Sequence, residues 1–126
     1  MASSESVSVN DVSLALDNQL CRITSLRQPV RFLEIRPQCY FVRDEQTQKI
    51  HIEQTGKQRH VILVVGSPVK NVPQFPITMT RRDCGNQLRA VIIQGDSISV
   101  SKNTLTNKLF CAGLGVDSEY YRLLGK

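Results

Sequence analysis

The sequence predicts a mainly β chain: a compact small barrel or sandwich, with a short N-terminal helix and a helical C-terminal segment. Three observations carry that expectation. The first is the longest apolar run, Arg59-His60-Val61-Ile62-Leu63-Val64-Val65-Gly66. On a strand Val61, Leu63 and Val65 face one side and Ile62 and Val64 the other, and a strand apolar on both faces is buried on both. The second is clean alternation of apolar and polar residues in Lys49–Glu53 and again in Ser97–Ser101. The third is Gly95-Asp96, a two-residue turn with Gly first that suits a type II′ hairpin between Gln87–Gln94 and Ser97–Ser101.

At 126 residues the chain fits one domain. Residues 1–8 are polar and Ser-rich, and are expected to be a disordered leader ahead of a single β-rich domain over 9–126. Val9, Val12, Leu16 and Leu20 recur at helical spacing, with Asn10 as a cap, so a short helix is expected around 10–18. An extended arm is the alternative, because Val7-Ser8-Val9 alternates. Cys21–Leu26 and Val30–Arg36 are expected strands, with Gln28-Pro29 as an interruption between them. Cys39–Arg43 and Gln48–Glu53 form a hairpin about Asp44–Thr47, with Lys49, His51 and Glu53 on its solvated face, and Thr55-Gly56-Lys57 turns the chain into the buried run. Residues 66–76 contain three prolines, which suit neither helix nor ladder, and form a defined crossover loop. Ile77–Arg82 is an expected strand, and Asp83–Asn86 a turn by composition. Over 103–124 the period changes. One helix is expected to carry Leu105, Leu109 and Phe110 and to stop at Gly113 and Gly115. A second starts at Asp117-Ser118. This order of elements also fits an oligonucleotide-binding (OB-like) barrel closed by a helix, an analogy of fold that does not fix function.

Cys21, Cys39, Cys84 and Cys111 are widely spaced, and two disulfides are open to them in three connectivities. Met1-Ala2-Ser3-Ser4-Glu5 has neither the basic nor the apolar region of a secretory signal. Reduced thiols and an intracellular location, cytoplasmic or nuclear, are therefore expected. Zinc would need Cys84, Cys111, His51 and His60 to converge from distant segments, so no metal or cofactor is expected. No stretch approaches the ~18 apolar residues of a membrane helix, so no membrane partner is expected. Catalytic motifs are missing: there is no Gly-x-Ser-x-Gly, no phosphate-binding glycine loop and no His-Glu-x-x-His. Cys84 and His60 have the composition of a nucleophile and base, but two histidines and four cysteines supply such a pair by chance. A non-enzymatic role is expected.

The charge suggests what that role is. The chain carries a net +5, and residues 21–108 hold 14 Lys and Arg against 6 Asp and Glu. Basic residues neutralise phosphates and exposed aromatics stack on bases. The expected function is a nucleic-acid-binding domain for RNA or single-stranded DNA. Its expected contacts are Tyr40, Phe41, Arg43, Lys49, Lys57, Arg59, Arg81, Arg82 and Arg89. The competing expectation is a protein-interaction module, a homodimer or complex subunit. It would dock through an edge strand or the C-terminal helix, with Leu105, Leu109, Phe110, Leu123 and Leu124 as contacts.

Overall fold

The computed structural model describes residues 4–26, 28–68, 83–106 and 108–126. The chain opens with an antiparallel hairpin, β1 (Ser4–Val9) and β2 (Val12–Asp17). Asn10 and Asp11 turn it, at φ 51° and 62°, the left-handed geometry of a type I′ turn that these two residue types tolerate. This corrects two expectations: residues 4–8 are not a disordered leader, and 10–18 is not a helix. The decisive residue is Leu14. It lies off the helical face but completes the period-two set Val12, Leu14 and Leu16, and all three are buried. β3 (Arg22–Ser25) and β4 (Gln28–Phe32) complete a four-stranded sheet in the order β1-β2-β3-β4. Gln28-Pro29 begins β4 instead of interrupting a strand, and β4 stops before Leu33. Proline is tolerated there because β4 is an edge.

The second sheet contains β5 (Tyr40–Phe41), β6 (Glu53–Gly56), β7 (Arg59–Pro68), β8 (Cys84–Gln94), β9 (Ser97–Val100) and β10 (Phe110–Cys111). Its order is β10-β8-β7-β5, with β6 also on β7 and β9 on β8. β7 and β8 pair from Arg59↔Gln94 to Pro68↔Gly85. Cys84–Asn86 is therefore the start of β8, and the turn expected at Asp83–Asn86 is not formed. Nor does Gly66 end β7. It sits inside the strand because a Cβ there would lie 2.9 Å from the Arg36 carbonyl and 2.8 Å from the Ile35 side chain. Gly95 takes φ 60° between Gln94 and Ser97, as the expected hairpin turn requires. The hairpin about Asp44–Thr47 is present, with Arg43 bridged to Ile50. The strand expected at 77–82 and most of the proline-rich loop lie outside the described residues.

Two apolar clusters account for the layering. Ile62 and Val64 pack with Val12, Leu14, Leu16, Ile23, Phe41 and Val91 between the two sheets. Val61, Leu63 and Val65 pack on the opposite side with Leu88, Ile92, Phe110, Tyr121 and Leu124. β7 is thus covered on both faces, as its composition required. The cover on the second face is the C-terminal segment, which the sequence reading placed in two helices. Only the second exists, α1 (Ser118–Leu124). Leu105 instead forms a bridge to Leu88, Phe110 and Cys111 form β10, and Ala112–Leu114 is a single 3-10 turn. No helix among the described residues is long and apolar enough to cross a membrane.

All four cysteines are paired, Cys21 with Cys39 and Cys84 with Cys111, which corrects the expectation of reduced thiols. Cys84 and Cys111 face each other across the β8–β10 ladder, next to the Ala112 N–H bond to the Asp83 carbonyl. That places them at a non-hydrogen-bonded site, where opposed residues come closest.

The sheets do not close into a barrel, so the OB-like expectation is not met. Each open seam is bridged by side chains instead. Between β1 and β5, Glu5 Oε2 accepts the Phe41 N–H and the Asn18 amide, each at 3.0 Å, and Glu5 Oε1 accepts Arg43 Nη2 at 2.6 Å. Between β4 and β9, the Gln28 side chain accepts the Ile98 N–H and donates to the Asp96 carbonyl. Farther along that seam Arg89 donates to the Leu33 carbonyl at 2.6 Å and to the Ser101 carbonyl at 2.7 and 2.9 Å. These side chains stand in for ladder bonds and cover edges that would otherwise invite a foreign strand.

Candidate interaction surface

The basic residues singled out from the sequence do not converge on one face. Phe41 is fully buried between the sheets and offers no ring to a base. Tyr40 is half-buried, its hydroxyl donating to Gln38 Oε1 at 2.8 Å. Arg43 is taken up by Glu5 and by the Gln48 carbonyl, and Arg89 by the β4–β9 seam. Arg59 donates to the Gly125 carbonyl just past the end of α1 and to Gln94. Only Lys49 and Lys57, among the described residues of that set, are exposed with no side-chain partner. Arg81 and Arg82 lie outside the described residues. Three arginines that looked like phosphate contacts thus hold the fold together, because each guanidinium supplies several donors to backbone carbonyls that lack a ladder partner.

Catalytic geometry is equally sparse among the described residues. Cys84 is in a disulfide, which removes the nucleophile of the Cys84–His60 pair. No group of three metal-ligating side chains is present among the described residues. Ser118, Glu53 and His51 do touch: Ser118 Oγ donates to Glu53 Oε1 at 2.5 Å, and His51 Nε2 meets the same oxygen at 3.1 Å. The carboxylate stands between the hydroxyl and the imidazole, so His51 has no contact with Ser118 through which to take its proton. Burial alone would raise the Glu53 pKa, but the bonds from Ser118 and His51, with the charges of His51 and Arg122, hold it below its ordinary value. His51 is half-buried with its ring edge-to-face on Tyr121 at 5.1 Å, not on a solvated face as its alternation suggested. The contacts bind α1 to β6.

The C-terminal residues named for interaction are mostly consumed internally. Phe110 and Leu124 are buried in the second cluster, and Leu105 packs on it. Leu109 is half-buried and Leu123 is half-exposed.

A different surface remains uncovered among the described residues. None of them forms a layer over the outer face of the four-stranded sheet. Ser6 and Ser8 of β1, Ser13 and Ala15 of β2, and Thr24 of β3 share that face by register. Along its β3–β4 side stand large apolar residues: Leu20 at 56% exposure, Leu26 at 84%, Val30 at 44% and Phe32 at 60%. They make up most of the exposed large apolar side chains of the described residues; the others are Leu114 and Leu123. Phe32 lies opposite Arg22, which is 3.9 Å from Asp17 on the same face. Leu33, next in sequence, is fully buried. Alternation along a strand puts Phe32 and Leu33 on opposite faces without telling which faces water. β4 and its neighbours were not singled out as a site. The available signal was the pairing of an apolar strand with Pro29, a residue confined to edges.

No protein-family model, curated protein or solved structure matches this chain.

Proposed function

We propose that the chain is a non-enzymatic protein-interaction module that docks through its β3–β4 ribbon. The observation that carries this reading is the exposure of Leu26, Val30 and Phe32 on and beside an edge strand, while both faces of the other sheet are covered. Isolated exposed apolar residues need no explanation, but three on and beside one ribbon favour a contact surface there. The helix form of the interaction reading loses support because α1 spends Tyr121 and Leu124 on its own sheet, and docking on the outer face of the ribbon is favoured over strand addition because Gln28 and Arg89 already cover the β4 edge. The nucleic-acid reading loses support because Arg43, Arg59 and Arg89 are engaged within the fold and Phe41 is buried. Paired cysteines support an oxidising place of work in preference to the cytoplasm or nucleus.

The test is a photo-crosslinking amino acid placed at Phe32, and separately at Lys57, in the full chain expressed in its own cells. Covalent protein adducts from position 32 and not from 57 are expected. Adducts at neither position would remove the reading. If such a result came with a gel shift on RNA or single-stranded DNA that weakens with salt at roughly −0.7 log units per phosphate contact, the function would return to nucleic-acid binding.

A further inference from the structure

We infer that the Cys84–Cys111 bridge is a redox-sensitive latch: a dithiol opens it in the folded chain, and its opening frees the C-terminal cover from the second face of β7. This does not depend on the ribbon. The two bridges have unequal settings. Cys21 and Cys39 belong to the apolar cluster between the sheets and are 2% and 0% exposed. The Leu33 N–H donates to the Cys21 carbonyl, and Asn18 binds Cys39 twice, through its own carbonyl and its buried amide. Opening that bridge requires the sheets to part. Cys84 and Cys111 belong to neither apolar cluster and are each 7% exposed. Cys84 is the first residue of β8 and Cys111 the last of β10, and the ladder between these strands has two pairs. A short terminal ladder opens locally at much lower free energy than a core does. Cys111 also lines a surface cleft of about 360 Å³ with Leu109, Leu114 and Tyr120, which gives a small thiol a way in.

The bridge holds a separable layer. Phe110, Ala112, Tyr121 and Leu124 pack on Val61, Leu63 and Val65, and Cys84–Cys111 is the one cross-link between that layer and the sheet. Beside it the Asp83 carbonyl accepts the Ala112 N–H at 2.9 Å, and the Asp83 carboxylate accepts the Gly113 N–H at 2.7 Å. The bridge and both bonds thus share one anchor at the start of β8. Its cysteines are 27 residues apart, and the cross-link withholds chain freedom from the lifted state. Removing it raises the share of that state on the order of a hundredfold. In the exchange, a thiolate of the dithiol attacks Cys111 Sγ, the S–S bond breaks, and Cys84 leaves as a thiolate that takes a proton from water. The second thiol of the reductant gives up its proton and attacks the mixed disulfide, and Cys111 leaves and is protonated in turn. The chain gains two thiols, and the dithiol is oxidised to a disulfide. Cys84 Sγ lies 3.8 Å from Asp83 Oδ1, which can accept the new S–H.

The experiment is a titration of the native full chain with dithiothreitol near pH 8, where a thiol is partly ionised. Samples are alkylated, the label is mapped to each cysteine, and amide hydrogen exchange is followed by mass spectrometry at each stage. Cys84 and Cys111 are expected to label at least about tenfold faster than Cys21 and Cys39, the gap between a local and a core opening. In the half-reduced chain the amides of residues 110–125 should exchange on the order of a hundredfold faster, while those of 62–64 keep their protection. Oxidised dithiothreitol should restore the bridge and the slow exchange. Equal labelling, or labelling of Cys21 and Cys39 first, would overturn the latch. Selective labelling with unchanged exchange at 110–125 would overturn it too, since the bridge would then hold nothing. Loss of protection at 62–64 would make the bridge a staple of the whole fold, and a bridge that does not re-form would make its reduction damage; either result overturns the switch.

Discussion

Glu5 and Phe41 lie on different sheets, 36 residues apart in sequence, and the Glu5 carboxylate accepts the Phe41 backbone N–H at 3.0 Å. The same carboxylate holds Arg43 and the buried Asn18 amide. One acidic side chain thus satisfies an edge that no described strand covers. Glu5→Ala would leave the Phe41 N–H without an acceptor and the Asn18 amide with the Cys39 carbonyl alone. The expected loss is about 3 kcal/mol, the scale of a charge-assisted bond plus a stranded buried donor. Denaturant unfolding measures it, and an unchanged midpoint would mean that the seam is closed by other means.

Arg89→Ala tests the opposite seam. The Leu33 and Ser101 carbonyls would lose their charged donor, with an expected loss of about 2–3 kcal/mol. Lys57→Ala, at an exposed residue with no partner, should stay within about 0.5 kcal/mol. The two residues carry the same charge, so a stability assay separates a cation that holds the fold from one that is free to bind. Equal effects would contradict the contacts described for Arg89.

Intact mass after alkylation of the unfolded chain without reductant should show no label on any of the four cysteines. Labels at two or four positions would overturn one or both pairs. Adding a reductant should lower stability by roughly 2–4 kcal/mol per bridge.

Tyr121 is fully buried, and its hydroxyl has no hydrogen-bond partner among the described residues. Burial, and then the Glu53 charge, push its pKa well above the usual phenol value. A folded pKa above the unfolded one means that this contribution is complete at neutral pH and fades as pH rises past about 10, where the unfolded tyrosine ionises. Tyr121→Phe should therefore cost little at pH 7 and should flatten the loss of stability on the alkaline side. A drop of more than about 2 kcal/mol at pH 7 would reveal a partner for the hydroxyl.

Glu53 gives the acid-side counterpart. Its lowered pKa means that its contribution is present above the ordinary glutamate range and is lost as pH falls through the folded value. Melting temperatures of the parent and Glu53→Gln should differ at pH 7 and converge below about pH 4. A constant difference across that range would show that the Ser118 and His51 contacts do not favour the charged form.

Legibility of the fold followed the range of the interactions. β7 was readable because its composition alone demands two apolar neighbours, and the Gly95 hairpin because its turn chemistry is local. The β1–β2 hairpin is ambiguous in the sequence although Asn10-Asp11 is a turn pair. Val9, Val12, Leu16 and Leu20 fit the helical period, and only the burial of Leu14 breaks the tie. Arg89 was beyond reach, since one of its acceptors, Leu33, is 56 residues away. The Cys84–Cys111 pair is hidden in the same way by 27 residues of separation. Phe32 and Leu33 show the limit for the candidate surface. Alternation says that one faces out, and only the pairing of Phe32 with Arg22 says which.

Pro68 and Gly85 face each other across the ladder, so the chain leaves β7 and re-enters β8 at a single place. Register is held by the pairs from Arg59↔Gln94 to Pro68↔Gly85. Doubling the length of the connection between the two strands adds only about 0.6 kcal/mol of closure entropy. This position is therefore a natural port for an inserted reporter or epitope.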